Sequence, residues 1–302
     1  MVFVGVSTGQ SSIMQIFPVW ATLLGLPTTA LVGHDLPLDA PQAAYRDLVT
    51  RIRDDPRCYG GLVTTHKMRL YRACADLFDE MDEFGLAAGE VSSISKQGGR
   101  LRGHAKDAVT AGLALEEFWP ADGFGGGAHA VCLGAGGAGT ALSAYLARRP
   151  DRPARIVVTG RTQQELDELA ALHSGLGTPS GVLDLVLENS PDGAITAQLL
   201  GAAPPGSLVV NATGLGKDRP GSPVPAGAAF PHGAHVWEFN YRGTLEFLHQ
   251  AQARSSVDEL RVHDGWRYFI HGWTQVIAKV FEIDLTAELV DELSEAAVAT
   301  AR

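Results

Sequence analysis

One segment constrains this chain more than any other: Ala130-Val131-Cys132-Leu133-Gly134-Ala135-Gly136-Gly137-Ala138-Gly139-Thr140. A short apolar run feeds a G-x-G-x-x-G, and a stretch of small residues, 141–147, follows. The pattern predicts strand, tight turn and helix. Gly134 permits the turn, Gly136 lets the backbone approach a pyrophosphate, and Gly139 lets helix and strand pack closely. The helix start at Gly137 and Ala138 presents unsatisfied N–H groups to an anion. A second apolar run, 154–159, completes a βαβ unit. Glycine is abundant in this chain (35 residues), so the flanking strand and helix carry the assignment rather than the glycines alone. The alternative is a purely structural glycine turn.

The chain has 302 residues, enough for two domains. Its net charge of −10, with no basic block, argues against nucleic acid or an anionic membrane surface as partner. The three cysteines, Cys58, Cys74 and Cys132, have no metal-like spacing, and the reading assigns no metal. Unpaired thiols suit a reducing compartment. The apolar start at 1–6 is too short for a signal sequence, and no run approaches a membrane span, so a cytoplasmic protein is expected.

In chain order, 2–6 reads as a buried strand and 13–24 as a helix with Ile13, Phe17, Trp20 and Leu24 on one face. Further strands are expected at 28–32 and 59–65, with a helix at 42–52 and helix again from 67 to about 84. Residues 91–94 and 100–102 pair across Gly98-Gly99 as a hairpin. A helix at 105–118 precedes the loop 120–127, P-A-D-G-F-G-G-G, the expected interdomain linker. After the glycine turn, a helix starts at Thr162 with Glu165 in the capping-box position. Strands follow at 182–187, 207–211, 234–239 and 259–262, with helices at 244–253, 266–282 and 286–300. The expected fold is α/β: an N-terminal α/β substrate lobe (1–119 and 266–302) and a C-terminal Rossmann-type, doubly wound lobe (120–265). In such sheets ligands sit beyond the carboxyl ends of the strands.

Lys67 follows one of those strand ends. A lysine there serves as general acid/base if desolvation lowers its pKa; otherwise it is a solvated residue opening a helix. Asp107 opens a helix, where the dipole also favours an acid. There is no H-E-x-x-H, C-x-x-C or G-x-S-x-G, so neither metal nor hydrolase chemistry has support.

These residues carry a resemblance. Gly5 through Leu26, Val63-Thr64-Thr65-His66-Lys67, Gly89-Glu90-Val91-Ser92-Ser93, Gly103-His104-Ala105-Lys106-Asp107, the glycine turn, Gly160-Arg161-Thr162, Asn211-Ala212-Thr213-Gly214-Leu215-Gly216 and Asp264-Gly265 stand in an order that resembles the shikimate/quinate dehydrogenase family. The resemblance spans nearly the whole chain. It implies interconversion of a ring hydroxyl and a ketone on a cyclohexene carboxylate, with hydride exchanged with NADP or NAD. The family's catalytic pair, the lysine after N-V-T-x-P-x and the aspartate of G-x-N-T-D, falls on Lys67 and Asp107. Its dinucleotide-binding positions fall on Gly134, Gly136, Gly137, Ala138, Gly139, Gly160, Arg161, Thr162, Asn211, Thr213 and Gly265. Its substrate-binding positions fall on Ser11, Ile13, Val63 and Ser92, with Tyr241 and Gln275 as further candidates.

The departures are specific. The family's S-x-S becomes Ser11-Ser12-Ile13, its N-V-T-x-P becomes Gly61-Leu62-Val63-Thr64-Thr65, and two of its asparagines become Ser92 and Ala105. Gly272 stands where a substrate-binding glutamine is expected, and Gln275 lies one turn on. Glu238-Phe239-Asn240-Tyr241 stands for D-x-V-Y. Losing several polar partners should move substrate preference by orders of magnitude. The strand end Thr159-Gly160-Arg161-Thr162 holds no acid for a ribose diol, and Arg161 suits a 2′-phosphate, so NADP is favoured over NAD. In N-R-T-x-x-R/K, Gly160 replaces the asparagine and Glu165 the second cation. The expected protein is therefore an NADP-linked oxidoreductase acting on a small cyclic hydroxy acid or cyclitol, with room for a homodimer. The alternatives are an authentic shikimate or quinate dehydrogenase with an unusual pocket, and a non-catalytic paralogue that binds a dinucleotide or metabolite.

Overall fold

The computed structural model describes residues 1–190, 193–217 and 219–301. Arg302, the end of the expected 266–302 segment, lies outside the described residues. The fold is α/β, and the chain divides into two compact units, Met1–Lys106 with Ile270–Arg302, and Asp107–Phe269.

The first unit holds strands β1 (Val2–Gly5), β2 (Val32–Asp35), β3 (Gly60–Val63), β4 (Glu80–Met81), β5 (Ser93–Gln97) and β6 (Arg100–His104). They form one sheet in the order β2-β1-β3-β5-β6-β4. β1 runs parallel to β2 and β3, while β5 is antiparallel to β3 and β6. The β5–β6 hairpin turns on Gly98 and Gly99, both at positive φ (57° and 77°). A turn of this kind matches the twist of the flanking strands, and glycine adopts it without steric cost. Helix α1 (Ile13–Leu23) buries Ile13, Ile16, Phe17, Trp20 and Ala21. It packs against α11 (Ala287–Ala301), and the Trp20 indole donates to the Leu293 carbonyl at 2.7 Å. Helix α2 (Gln42–Asp54) contributes Tyr45, Leu48, Val49 and Ile52 to the core with Val4, Val63 and Leu70.

Two expectations fail here. The second strand lies at Val32–Asp35, not 28–32, because Val2 registers with Val32 along β1. The continuous helix expected after Lys67 is broken. Helix α3 (Lys67–Cys74) is followed by a 3-10 turn, β4 adds to the edge of the sheet beside β6, and α4 (Glu83–Ala88) restarts with the Asp82 side chain capping the Gly85 N–H.

The second unit holds α5 (Asp107–Glu116), β7 (Ala130–Leu133), α6 (Gly137–Ala147), β8 (Ile156–Gly160), α7 (Gln163–Gly175), β9 (Leu183–Leu187), α8 (Ala194–Ala202), β10 (Leu208–Asn211), β11 (His235–Glu238), α9 (Glu246–Arg254) and β12 (Arg261–His263). Its six strands are all parallel and ordered β12-β11-β10-β7-β8-β9, the Rossmann arrangement. β7, β8, β10 and β11 are buried along their whole length, as a sheet covered on both faces requires.

The unit boundaries differ from the expected 119/120 and 265/266. Helix α5 packs on α6: Ala111, Ala114 and Leu115 share a core with Leu142 and Leu146, and Gly112 lies against the Tyr145 ring. Tyr268 stacks on Phe239 and Phe269 on Tyr241, so the second boundary falls inside α10 (Trp266–Phe281). The 120–127 segment lies within the second unit, with Phe124 buried in its core. Among the described residues no helix is long and apolar enough to cross a membrane.

Candidate active site

In the second unit the glycine turn opens onto a cavity of about 350 Å³ beyond the carboxyl ends of β7, β8 and β10, where the strand order reverses. Gly134 and Gly139 are required by protein atoms. Gly134 has φ 113°, and a side chain at Gly139 would run into the Gly134 carbonyl. Gly136 is different. Apart from its chain neighbours, no protein atom lies within 4 Å of where its Cβ would be, and Gly136 lines the cavity. Gly137 is exposed and Ala138 half-buried at the first turn of α6.

Gly160 and Arg161 line the same cavity. Thr162 caps α7 in a full capping box: its hydroxyl accepts from the Glu165 N–H, and Glu165 accepts from the Thr162 N–H at 3.2 Å and the Arg161 N–H at 3.0 Å. The Thr162 hydroxyl is thus spent on the helix start. Asn211 ends β10 with no exposed surface. Its amide donates to Glu238 at 2.8 Å, and its oxygen accepts from the Thr213 N–H and hydroxyl. Glu238 also accepts from the Asn240 N–H, and the Asn240 amide donates to the Leu215 carbonyl. Burial pushes the Glu238 carboxyl up to about 7. This network suspends the 211–216 loop over the cavity. Gly265 is buried against the Phe239 carbonyl, where a side chain would collide, so packing accounts for that glycine. Tyr241 is half-buried and stacks on Phe269 with ring centroids 4.2 Å apart.

In the first unit Lys67 is half-buried and opens α3, directly after the turn that leaves β3. Thr65 stands in the turn at φ 44°, and the His66 N–H donates back to the Thr64 carbonyl. His66 is fully buried. Its Nε2 lies 2.9 Å from the Leu36 carbonyl and so carries the proton; its Nδ1 then accepts from the Tyr45 hydroxyl at 3.0 Å. Ser92 is buried, and its hydroxyl accepts from the Lys106 N–H at 2.7 Å. Ile13 and Val63 have no exposed surface and pack in the interior, so neither presents atoms to a ligand. Ser11 and Gln275 are half-buried, and Asp107 is the half-buried first residue of α5.

Several groups escaped the sequence reading. Asp82 accepts from the Gly85 and Ala105 N–H groups and lies 3.7 Å from both His104 and Lys106. Glu188 lines the cavity and accepts from the Thr196 N–H at 2.6 Å, besides a bond from the Ser190 hydroxyl. Burial raises the Glu188 carboxyl, but these hydrogen bonds outweigh it and hold it below its ordinary value. Arg219 lines the cavity too. No short motif marks any of them: Asp82 is placed by a contact distant in sequence, and Glu188 and Arg219 face the cavity only because of how their loops fold.

The fold and this cavity define a class: a two-unit α/β protein whose second unit has Rossmann topology and a glycine-walled cavity at the switch point. No family model matches the chain. A shikimate dehydrogenase (NADP(+)) of Streptococcus gordonii is 28% identical over 54% of this chain and 53% of its own length. One of Pyrococcus furiosus is 30% identical over 59% of this chain and 57% of its own length. The chain thus covers little more than half the length of these curated relatives. Two solved structures share the fold over nearly the whole of both chains. Shikimate 5-dehydrogenase of Thermus thermophilus, in complex with NADP(H) and shikimate, has a TM-score of 0.72 at 23% identity and covers 98% of each chain. Quinate dehydrogenase of Corynebacterium glutamicum, in complex with NAD, has a TM-score of 0.74 at 20% identity and covers 99% of this chain and 98% of its own. The curated relatives thus match about half of this chain, and the solved structures share its fold.

Proposed function

We propose that the protein is an NADP-dependent oxidoreductase that interconverts a ring hydroxyl and a ketone on a cyclic hydroxy acid or cyclitol. The observation that carries this reading is the cavity at Gly134–Gly136: the open space at Gly136 is what a pyrophosphate's close approach requires. The residues present fit a dinucleotide. Gly134, Gly136, Gly137, Ala138 and Gly139 would hold its pyrophosphate on the α6 N-terminus, and Gly160 and Arg161 its adenosine ribose, with Thr162 fixing the helix start behind them; Asn211 and Thr213 would shape the loop beside it, with Gly265 packed against the 238–241 segment. When bound, the nicotinamide supplies hydride transfer.

Oxidising a carbinol carbon also requires its hydroxyl proton to leave. Lys67 accepts that proton, and returns it to the ketone oxygen in reduction. The resemblance gives Asp107 the part of the acid that tunes this lysine's charge. Ser11, Tyr241 and Gln275 contact the substrate. Ser92 acts through the Lys106 backbone that its hydroxyl holds, and Ile13 and Val63 shape the pocket from behind. Because Ile13, Gly61, Val63 and Ala105 replace polar family residues, the substrate carries fewer or differently placed hydroxyls than shikimate.

The test is a screen of nicotinamide absorbance with NADP and NAD against shikimate, quinate and related cyclitols. Turnover should be better with a compound other than shikimate, and Lys67→Ala should lower kcat roughly 10²–10⁴-fold with the fold intact. Undiminished turnover in Lys67→Ala overturns the proton-transfer role. Efficient, shikimate-specific turnover at micromolar concentrations overturns the altered-substrate reading.

A further inference from the structure

We propose that Arg219 is the second cation of a 2′-phosphate site shared with Arg161, and that it sets the preference for NADP over NAD. The proposal rests on the dinucleotide reading above and specifies one end of the same cavity.

The charge balance of the cavity wall calls for it. The motif position that supplies a second cation in N-R-T-x-x-R/K is Glu165 here. Its carboxylate is drawn back onto the Arg161 and Thr162 N–H groups, so it cannot be swung away without losing the start of α7. Glu188 adds a second carboxylate to the wall, fixed by Ser190 and Thr196. Arg161 alone would face two acids. A phosphate dianion entering beside it would meet net repulsion.

Arg219 lines the same cavity from the opposite loop and, among the described residues, sets two cations beside the two carboxylates. Carboxylates only accept, so among the described lining residues the two guanidinium groups are the cationic donors a phosphate would meet. The base of Arg219 is held in place. Its carbonyl accepts from the Gly216 N–H at 2.7 Å, Leu215 and Arg219 form a β-bridge, and the Gly216 carbonyl accepts from the Leu245 N–H. The residue itself is exposed. An exposed guanidinium on an anchored backbone can meet a phosphate with two parallel hydrogen bonds at small entropic cost. It is also placed by a loop that follows β10, remote in sequence from the motif whose cation it replaces.

Equilibrium titrations of NADP, NAD, 2′,5′-ADP and 5′-AMP, followed by calorimetry, test the proposal on the unsubstituted protein and on Arg219→Ala, Arg219→Lys and Arg161→Ala. Arg219→Ala should weaken NADP and 2′,5′-ADP roughly 10- to 100-fold, the loss expected for a charge-assisted hydrogen-bonding group. NAD and 5′-AMP should change less than about twofold, and Arg219→Lys should fall between. Because Arg219 is exposed, circular dichroism of the variant should match the unsubstituted protein. Equal weakening of NADP and NAD, or no effect on either, overturns the proposal while leaving the dinucleotide reading standing. If the unsubstituted protein binds neither dinucleotide, the functional reading itself falls and this proposal with it.

Discussion

Thr65 is the residue whose conformation most needs an account. It is β-branched and sits at φ 44°, a region that costs an L-residue roughly 1–2 kcal/mol. Neighbours hold it there. The buried His66 is clamped between the Tyr45 hydroxyl and the Leu36 carbonyl, which pins the chain on the far side of Thr65 and delivers Lys67 to the start of α3. Thr65→Gly should therefore stabilise the protein by up to about 1 kcal/mol, with the gain reduced by glycine's extra unfolded-state freedom. Thr65→Pro should destabilise it, by about 3 kcal/mol, because proline requires φ near −65°. Urea unfolding midpoints decide both. The motif this stretch resembles has proline at this position. The motif identified Lys67, but the turn that presents it is built on contacts with residues 36 and 45. Neither of these could be paired with residue 66 from spacing alone.

At the scale of the element, the 211–216 loop depends on one buried carboxylate. Glu238 ends β11 and receives the Asn211 amide and the Asn240 N–H. Removing it leaves two buried donors unpaired, each worth roughly 1–3 kcal/mol. Glu238→Ala should lower stability by about 3 kcal/mol in urea titration and weaken dinucleotide binding through the displaced loop. A variant with native stability and native binding would show that the loop stands without Glu238. The strand, turn and helix of the glycine segment, the capping box of α7 and the β5–β6 hairpin were all legible beforehand, since each follows from steric and hydrogen-bonding rules within a few residues. β4 and the break after α3 were not, since a two-residue strand exists only where β6 offers it an edge.

At the scale of the whole molecule, stability should depend on pH through buried imidazoles. His173, His235 and His263 are each held down to about 4 by burial, from an ordinary value of 6.5. The unfolded chain therefore binds more protons than the folded one between these values. Their contribution is full above 6.5 and is lost as pH falls toward 4. Glu238, raised to about 7, acts in the opposite sense: its contribution is full at low pH and is lost as pH rises toward 7. Three groups oppose one, so the melting temperature should fall by about 5 °C between pH 6.5 and about pH 5. His173→Gln should flatten that slope by about half. A melting temperature that rises on acidification would refute the balance.

The sequence by itself determined the strands and turns whose rules are local, the Rossmann glycine segment above all, together with the identities of Lys67, Asp107 and Arg161 as candidates. The tertiary structure decided which unit claims α5, which carboxylate holds the cofactor-side loop, and that Arg219 shares a cavity with Arg161. The reason is physical. A turn or a cap is a property of adjacent residues, whereas side-chain burial and the charge of a cavity are set by groups that meet only when the sheet assembles.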